Sequence, residues 1–70
     1  MDRLFGLMPA DEIEIEETYH TSCGTVIIQA GIHGWSIIYG DHSARYEDID
    51  ASAQANFNYA HYLLEEEGIL

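Results

Sequence analysis

The spacing of apolar residues changes once along this 70-residue chain, and that change constrains the fold more than any other feature. Apolar and polar residues first alternate in short runs separated by glycine-containing turns. From Ile49 onwards, apolar residues recur every three or four positions. Alternation is typical of half-buried strands, whereas a period near 3.6 is typical of an amphipathic helix. The sequence therefore predicts a sheet followed by one helix.

Three short strands are predicted before the change of period. They cover, in order, residues 12–20, 25–30 and 35–39. In the first, Ile13 and Ile15 point inward, and a bulge is expected at Glu16–Glu17 where the alternation slips. The connections are shorter than the roughly dozen residues that a parallel crossover needs, so neighbouring strands must be antiparallel. Residues 44–47 fit either a fourth strand or a link into the helix.

The last third predicts a single helix. Its apolar stripe consists of Ile49, Ala53, Phe57, Ala60 and Leu64. Asp48 or Asp50 offers an N-cap carboxylate, and Gly68 is a natural stop. The predicted fold class is α+β, with a three- or four-stranded antiparallel sheet and one C-terminal helix packed on it. The chain forms one domain, residues 1–70, made of an N-terminal arm (1–11), the sheet (12–47) and the helix (48–67).

The charge balance excludes several classes of function. The chain has thirteen acidic residues, two arginines and no lysine, which gives a net charge of -11. Proteins that bind nucleic acid or anionic membranes directly need clustered basic residues. A hydrophobic fraction of 47% also excludes a disordered acidic tail. Because Cys23 is the single cysteine and no apolar stretch approaches the roughly 20 residues of a membrane span, we expect a cytoplasmic protein.

Residues that could carry catalysis or hold a metal are few and scattered. His20 and Cys23 have ligand-like spacing, but one such pair is only half of a zinc site. Acidic surroundings disfavour the thiolate that a nucleophilic cysteine needs. Residues 31–34 lack both the pattern and the basic residues of a phosphate-binding loop. We predict a non-enzyme without catalytic residues, metal or cofactor, and keep a small metal- or thiol-dependent enzyme as a remote alternative.

The acidic residues are the most informative feature. On a strand, Glu12, Glu14 and Glu16 would form an outward row about 6.8 Å apart, a spacing of the same order as that of phosphates along a nucleic-acid strand. No lysine compensates for their mutual repulsion. At the helix end, residues 65–67 are all glutamates and oppose the helix dipole. A solvated sheet face and drift in an acidic protein are the alternative explanations.

Tyrosines add to this predicted interface. Tyr59 and Tyr62 lie off the apolar stripe, beside the terminal glutamates, where they could contact a basic partner or simply cover a sheet edge. The predicted partner-binding residues are Glu12, Glu14, Glu16, Glu17, Asp48, Asp50, Tyr59, Tyr62, Glu65, Glu66 and Glu67.

In size, charge, β-β-β-α order and its helix rich in Tyr and Glu, the chain resembles the small acidic anti-CRISPR proteins that phages encode. The resemblance covers the whole chain in character but contains no specific motif, so no residue roles are transferred. It implies binding to a CRISPR effector complex in the host bacterial cytoplasm, often on basic surfaces that grip target DNA. Some members of that group act instead on nuclease recruitment or a conformational change.

Together these features predict a stoichiometric inhibitor that blocks target DNA binding by acidic charge mimicry. Its partner would be a basic, nucleic-acid-binding protein or ribonucleoprotein complex, with no direct contact to nucleic acid or membrane. The alternative is a small acidic adaptor or antitoxin-like module that binds a basic protein without imitating nucleic acid. The sequence leaves a homodimer open.

Overall fold

The chain folds into one antiparallel sheet with a helix on one side. The structure is a computed structural model that describes residues 8–22, 24–40 and 43–70. After a 3-10 turn at Ala10–Glu12, the elements are β1 (Ile15–Thr21), β2 (Gly24–Gly31), β3 (Gly34–Tyr39), β4 (Ser43–Asp48) and α1 (Ala53–Glu66). The strand order is β1-β2-β3-β4. This confirms the α+β prediction, and the undecided residues 44–47 belong to a fourth strand.

The first strand begins later than its alternation predicted. Pro9 has an extended backbone and caps the 3-10 turn, in which the Glu12 N–H donates to the Pro9 carbonyl at 2.9 Å. The turn packs over the end of β2, where a Cβ at Gly31 would overlap the Glu12 carbonyl oxygen. Residues 12–14 therefore lie outside β1, and the prediction of a strand from Glu12 was wrong.

The predicted bulge is also absent from β1. Its pairing with β2 runs without interruption from Ile15 opposite Ala30 to Thr21 opposite Gly24. Glu16 and Glu17 therefore occupy successive ladder positions on opposite faces of the sheet. The broken sequence alternation reflects a polar residue on the helix-covered face of an edge strand.

The helix begins at Ala53, not at residue 48 as predicted. Asp48 is still paired with Gly34 in the sheet, so it cannot cap the helix. The N-cap is Ser52, whose hydroxyl oxygen accepts from the Ala55 N–H at 3.1 Å. No acidic residue lies in the first turn of α1. The predicted stop is confirmed, because Gly68 follows the helix with a φ of 80°.

The core lies between α1 and the two central strands. It contains Val26, Ile28, Ala30, Trp35, Ile37, Ala60 and Leu64. Asn56 is a buried polar exception whose amide donates to the Gly31 carbonyl at 2.6 Å and the Ile49 carbonyl at 3.0 Å. That side chain ties the helix to both the β2–β3 turn and the segment before α1.

Several sequence predictions fall outside the described residues. These concern the first seven residues of the predicted arm, Cys23, and the Asp41–His42 turn. The described part of the arm includes Met8, which is buried against the sheet end near Gly31. Among the described residues, no helix has the length and apolar character needed to cross a membrane.

Candidate functional site

Exposed carboxylates dominate the described surface. Ten of them are exposed: Asp11, Glu14, Glu16, Glu17, Glu47, Asp48, Asp50, Glu65, Glu66 and Glu67. Arg45 is the one Lys or Arg in the described ranges, and its guanidinium lies 2.5 Å from the Glu67 carboxylate. Hydrogen bonds to Tyr39 and Glu67 raise the Arg45 pKa above its usual value. The described residues therefore offer many acceptors for a basic partner and no unpaired Lys or Arg.

The three terminal glutamates do not form a uniform patch. Glu67 is held toward β4 by Arg45, and Glu65 lies 3.4 Å from the His61 imidazole. Glu66 is exposed on the outer side of the helix end. Glu67 therefore has an intramolecular partner, Arg45, that the sequence did not predict.

Tyr59 and Tyr62 are both exposed on the helix surface, as predicted. Their exposed fractions are 44% and 51%. The Tyr59 ring centroid lies 6.0 Å from that of the buried Trp35, so this tyrosine also extends the core. Tyr62 is the more accessible of the two.

The predicted row of three glutamates is not formed. Glu12 lies in the 3-10 turn and is half-buried, whereas Glu14 precedes β1 and bonds through its backbone N–H to Ala30. Only Glu16 occupies a strand position. A row with regular strand spacing requires all three residues on one strand, so the structure contradicts the proposed phosphate-like spacing.

A polar row instead crosses the sheet on the side away from α1. Register places Glu16, Gln29, Ser36 and Tyr46 side by side on β1 to β4. The Gln29 amide donates to Glu16 at 2.7 Å, and the Ser36 hydroxyl donates to the Gln29 amide oxygen at 3.0 Å. The Tyr46 hydroxyl donates to Asp48. These hydrogen bonds fix the orientation of the four side chains of the row.

An apolar row lies beside the polar one. It consists of Thr18, Ile27, Ile38 and Ala44 on successive strands. Ile27 and Ile38 are opposed and only half-buried, although their chain neighbours Ile28 and Ile37 are fully buried on the other face. We call these two rows, together with Asp48, the open face.

At one end, the open face runs into a depression of about 540 Å³. Its lining residues are Pro9, Glu12, His33, Tyr46, Asp48 and Asp50. The His33 imidazole lies 3.5 Å from the Asp50 carboxylate. The hydrogen bond to Asp48, with smaller contributions from burial and the charges of Asp48 and Glu12, raises the pKa of Tyr46 to about 12. Three carboxylates, those of Glu12, Asp48 and Asp50, therefore line the depression.

This arrangement brings together three of the predicted site residues, Glu12, Asp48 and Asp50. It leaves Glu17 on the covered side of β1, near Tyr19, whose pKa is raised by burial and by the Glu17 charge. Sequence reasoning missed Tyr46, Gln29 and Ser36 as site residues. The register across four strands was the missing information, because none of these side chains stands out in its own segment.

No group of three or more His, Cys, Asp or Glu side chains is positioned to hold a metal ion within the described ranges. Compared with known proteins, the chain matches no family model, no curated protein and no solved structure.

Proposed function

We propose that this chain is a stoichiometric inhibitor that binds a basic surface of a nucleic-acid-binding protein and thereby excludes nucleic acid from it. The observation that carries the proposal is the excess of exposed carboxylates, combined with a single described arginine that is already paired with Glu67. Such self-repulsion weakens a compact fold, and a basic partner relieves it. In this proposal the chain is not an enzyme and does not bind nucleic acid itself.

A CRISPR effector complex is the partner that we propose first. Support comes from the resemblance in size and charge to anti-CRISPR proteins. Effector complexes hold target DNA with arginine and lysine side chains, which are the natural partners of exposed carboxylates. Such a role would place the protein in the cytoplasm of a phage-infected bacterium.

Charge and occupancy, rather than copied phosphate spacing, would block the nucleic acid. The acidic residues lie on several surfaces, and the regular row of Glu12, Glu14 and Glu16 is broken. Carboxylates still accept bidentate hydrogen bonds from guanidinium groups and accelerate association with a basic surface. To compete with nucleic acid, the bound inhibitor needs only to cover part of the basic surface that the nucleic acid occupies.

Competition with duplex DNA tests this proposal. Purified effector complexes are immobilised, and binding of the chain is measured at increasing concentrations of a target duplex. The apparent Kd should rise in proportion to duplex concentration. An apparent Kd that does not change with duplex concentration would overturn the proposed competition. The same holds if the chain binds none of the effectors and other nucleic-acid-binding proteins tested.

An acidic adaptor is the second candidate, and the broken glutamate row favours it. An adaptor needs complementary charge but no resemblance to nucleic acid. It predicts a ternary complex, in which the chain and the duplex occupy the same effector molecule together. Size-exclusion chromatography of the three components separates the two functions, because competition leaves no ternary species.

A further inference from the structure

We propose that the open face of the sheet is the surface that receives the basic partner. Its occupant would be an extended segment that presents an apolar side chain and an arginine a few residues apart. This inference rests on the proposed function, since it names the face through which the acidic chain would bind. It is argued from the half-buried apolar row, from the carboxylates at one end of the same face, and from the strand spacing between the two.

The helix does not cover the apolar row. The helix packs on the face that holds Ile28 and Ile37, leaving Ile27 and Ile38 half-buried on the other side. An opposed pair of β-branched residues forms a flat apolar surface on which another side chain can pack. Burying that pair against a partner would contribute favourably to binding.

Charge selects the kind of occupant. Asp48 and Glu16 lie on the open face, and Glu12 and Asp50 line the depression at its end. Arg45 belongs to the opposite face, where it pairs with Glu67. A second copy of the chain would bring like charges together, whereas an arginine-bearing segment would neutralise them. The charge distribution therefore favours a basic segment over a homodimer.

Strand geometry sets the spacing that the occupant must match. Ala44 of the apolar row and Asp48 at the acidic end are four residues apart on β4. At the usual rise they are separated by about 14 Å. Between them lies Tyr46, which is 38% exposed and is oriented by its hydrogen bond to Asp48. A guanidinium at this end would pair with the Asp48 carboxylate and lie over the Tyr46 ring.

A synthetic peptide tests the match directly. The probe is an extended heptapeptide of threonine and serine with leucine at the second position and arginine at the sixth. The control peptide has the same composition with leucine and arginine adjacent. Both are titrated into the full chain while backbone amide NMR shifts are recorded. We expect shifts on β2, β3 and β4 and a Kd about two- to fivefold tighter for the spaced peptide.

Two double variants on the same strands provide the matched comparison. Glu16→Gln with Asp48→Asn removes two charges from the open face, whereas Glu17→Gln with Glu47→Gln removes two from neighbouring positions on the covered side. The first pair should weaken binding of the peptide and of the effector about fivefold or more, and the second less than about twofold. Circular dichroism spectra of both variants check that the fold is kept.

The outcomes separate this inference from the proposed function. Equal weakening by both pairs, or peptide shifts confined to the helix end, would show that the open face is not the docking surface while acid-driven binding survives. Effector binding that neither pair weakens would overturn the role of charge in the proposed function. Concentration-dependent shifts on the open face without peptide would identify a second copy as its occupant and overturn the inference.

Discussion

The two faces of the sheet are built from the same strands and differ in almost every physical property. On the covered face, Ile28 and Ile37 are fully buried against α1. On the open face, their chain neighbours Ile27 and Ile38 are half-buried beside a hydrogen-bonded polar row and two carboxylates. The covered face therefore contains the hydrophobic core, whereas the open face carries the polar row and exposed carboxylates.

The comparison also shows where polar groups can be tolerated. Asn56 on the covered side is buried, and its amide donates to two backbone carbonyls. Ser36 on the open face is fully buried too, but it donates to Gln29, which in turn donates to Glu16. The hydrogen bonds of Asn56 hold the helix against the sheet, whereas the network of Ser36 and Gln29 ends at the exposed carboxylate of Glu16.

The largest expected effect contrasts neighbouring isoleucines. Ile37→Ala should lower the free energy of unfolding by about 3 kcal/mol, because it leaves a cavity beneath α1. Ile38→Ala should cost about 1 kcal/mol, since its side chain is only partly removed from water. Urea denaturation measures both. If Ile37→Ala does not fold, Ile37→Val and Ile38→Val provide the same comparison with smaller changes in the free energy of unfolding. Equal changes at positions 37 and 38 would contradict the distinction between the faces.

The second prediction concerns the buried amide. Asn56→Ala removes two hydrogen bonds to buried carbonyl groups and should lower the free energy of unfolding by about 2 kcal/mol. Asn58→Ala, on the outer side of the same helix, should change it by less than about 0.5 kcal/mol. Thermal and urea denaturation of the two variants make the comparison. Similar changes in the two variants would contradict the stabilising role of the hydrogen bonds to Gly31 and Ile49, because the gain in helix propensity from Asn to Ala is the same at both positions.

The third prediction sharpens the contrast between paired and unpaired acids. Glu66→Gln should stabilise the fold by about 0.3–1 kcal/mol at low salt, because it removes a charge that opposes the helix dipole. Glu67→Gln should gain less or be destabilising, since it also removes the ion pair with Arg45. Melting temperatures at low and high salt test this difference in sign. Equal stabilisation by both variants would indicate that the ion pair contributes nothing.

The smallest effect is a titration on the open face. Tyr46 should lose its proton near pH 12, because Asp48 accepts its hydroxyl hydrogen bond. A raised pKa in the folded state means that this group stabilises the fold below pH 10 and ceases to do so as the pH rises through about 12. In Asp48→Asn, the pKa should fall toward 10.0. NMR of the tyrosine ring carbons follows the titration, and an unchanged midpoint would remove Asp48 as the cause.

Much of the fold follows from local sequence signals. The β-branched runs and glycine turns predict β2 and β3, and the apolar stripe predicts α1. The start of β1 could not be predicted, because the 3-10 turn depends on packing against Gly31, far along the chain. The helix start was displaced because Asp48 pairs with Gly34, which leaves Ser52 as the cap. Boundaries that depend on distant contacts are not encoded in a short window.

The candidate site was less predictable than the fold. Excess acidity and the exposure of Tyr62 follow from composition and helical spacing. The row of Glu16, Gln29, Ser36 and Tyr46 requires the register of all four strands. The same limit explains why the pairing of Glu67 with Arg45 was missed, since it joins the helix end to β4.

The central claim is that acidic residues of the open face guide the chain to a basic partner. Its most direct test is the association rate with an effector complex, measured by stopped flow at increasing ionic strength. From about 0.01 M to about 1 M, the Debye length falls from about 30 Å to about 3 Å. For the unmodified chain and for Glu17→Gln with Glu47→Gln, the rate should fall steeply with salt, while dissociation changes less. For Glu16→Gln with Asp48→Asn, the dependence should be clearly shallower. A flat rate for the unmodified chain, or the same slope for all three proteins, would contradict the account.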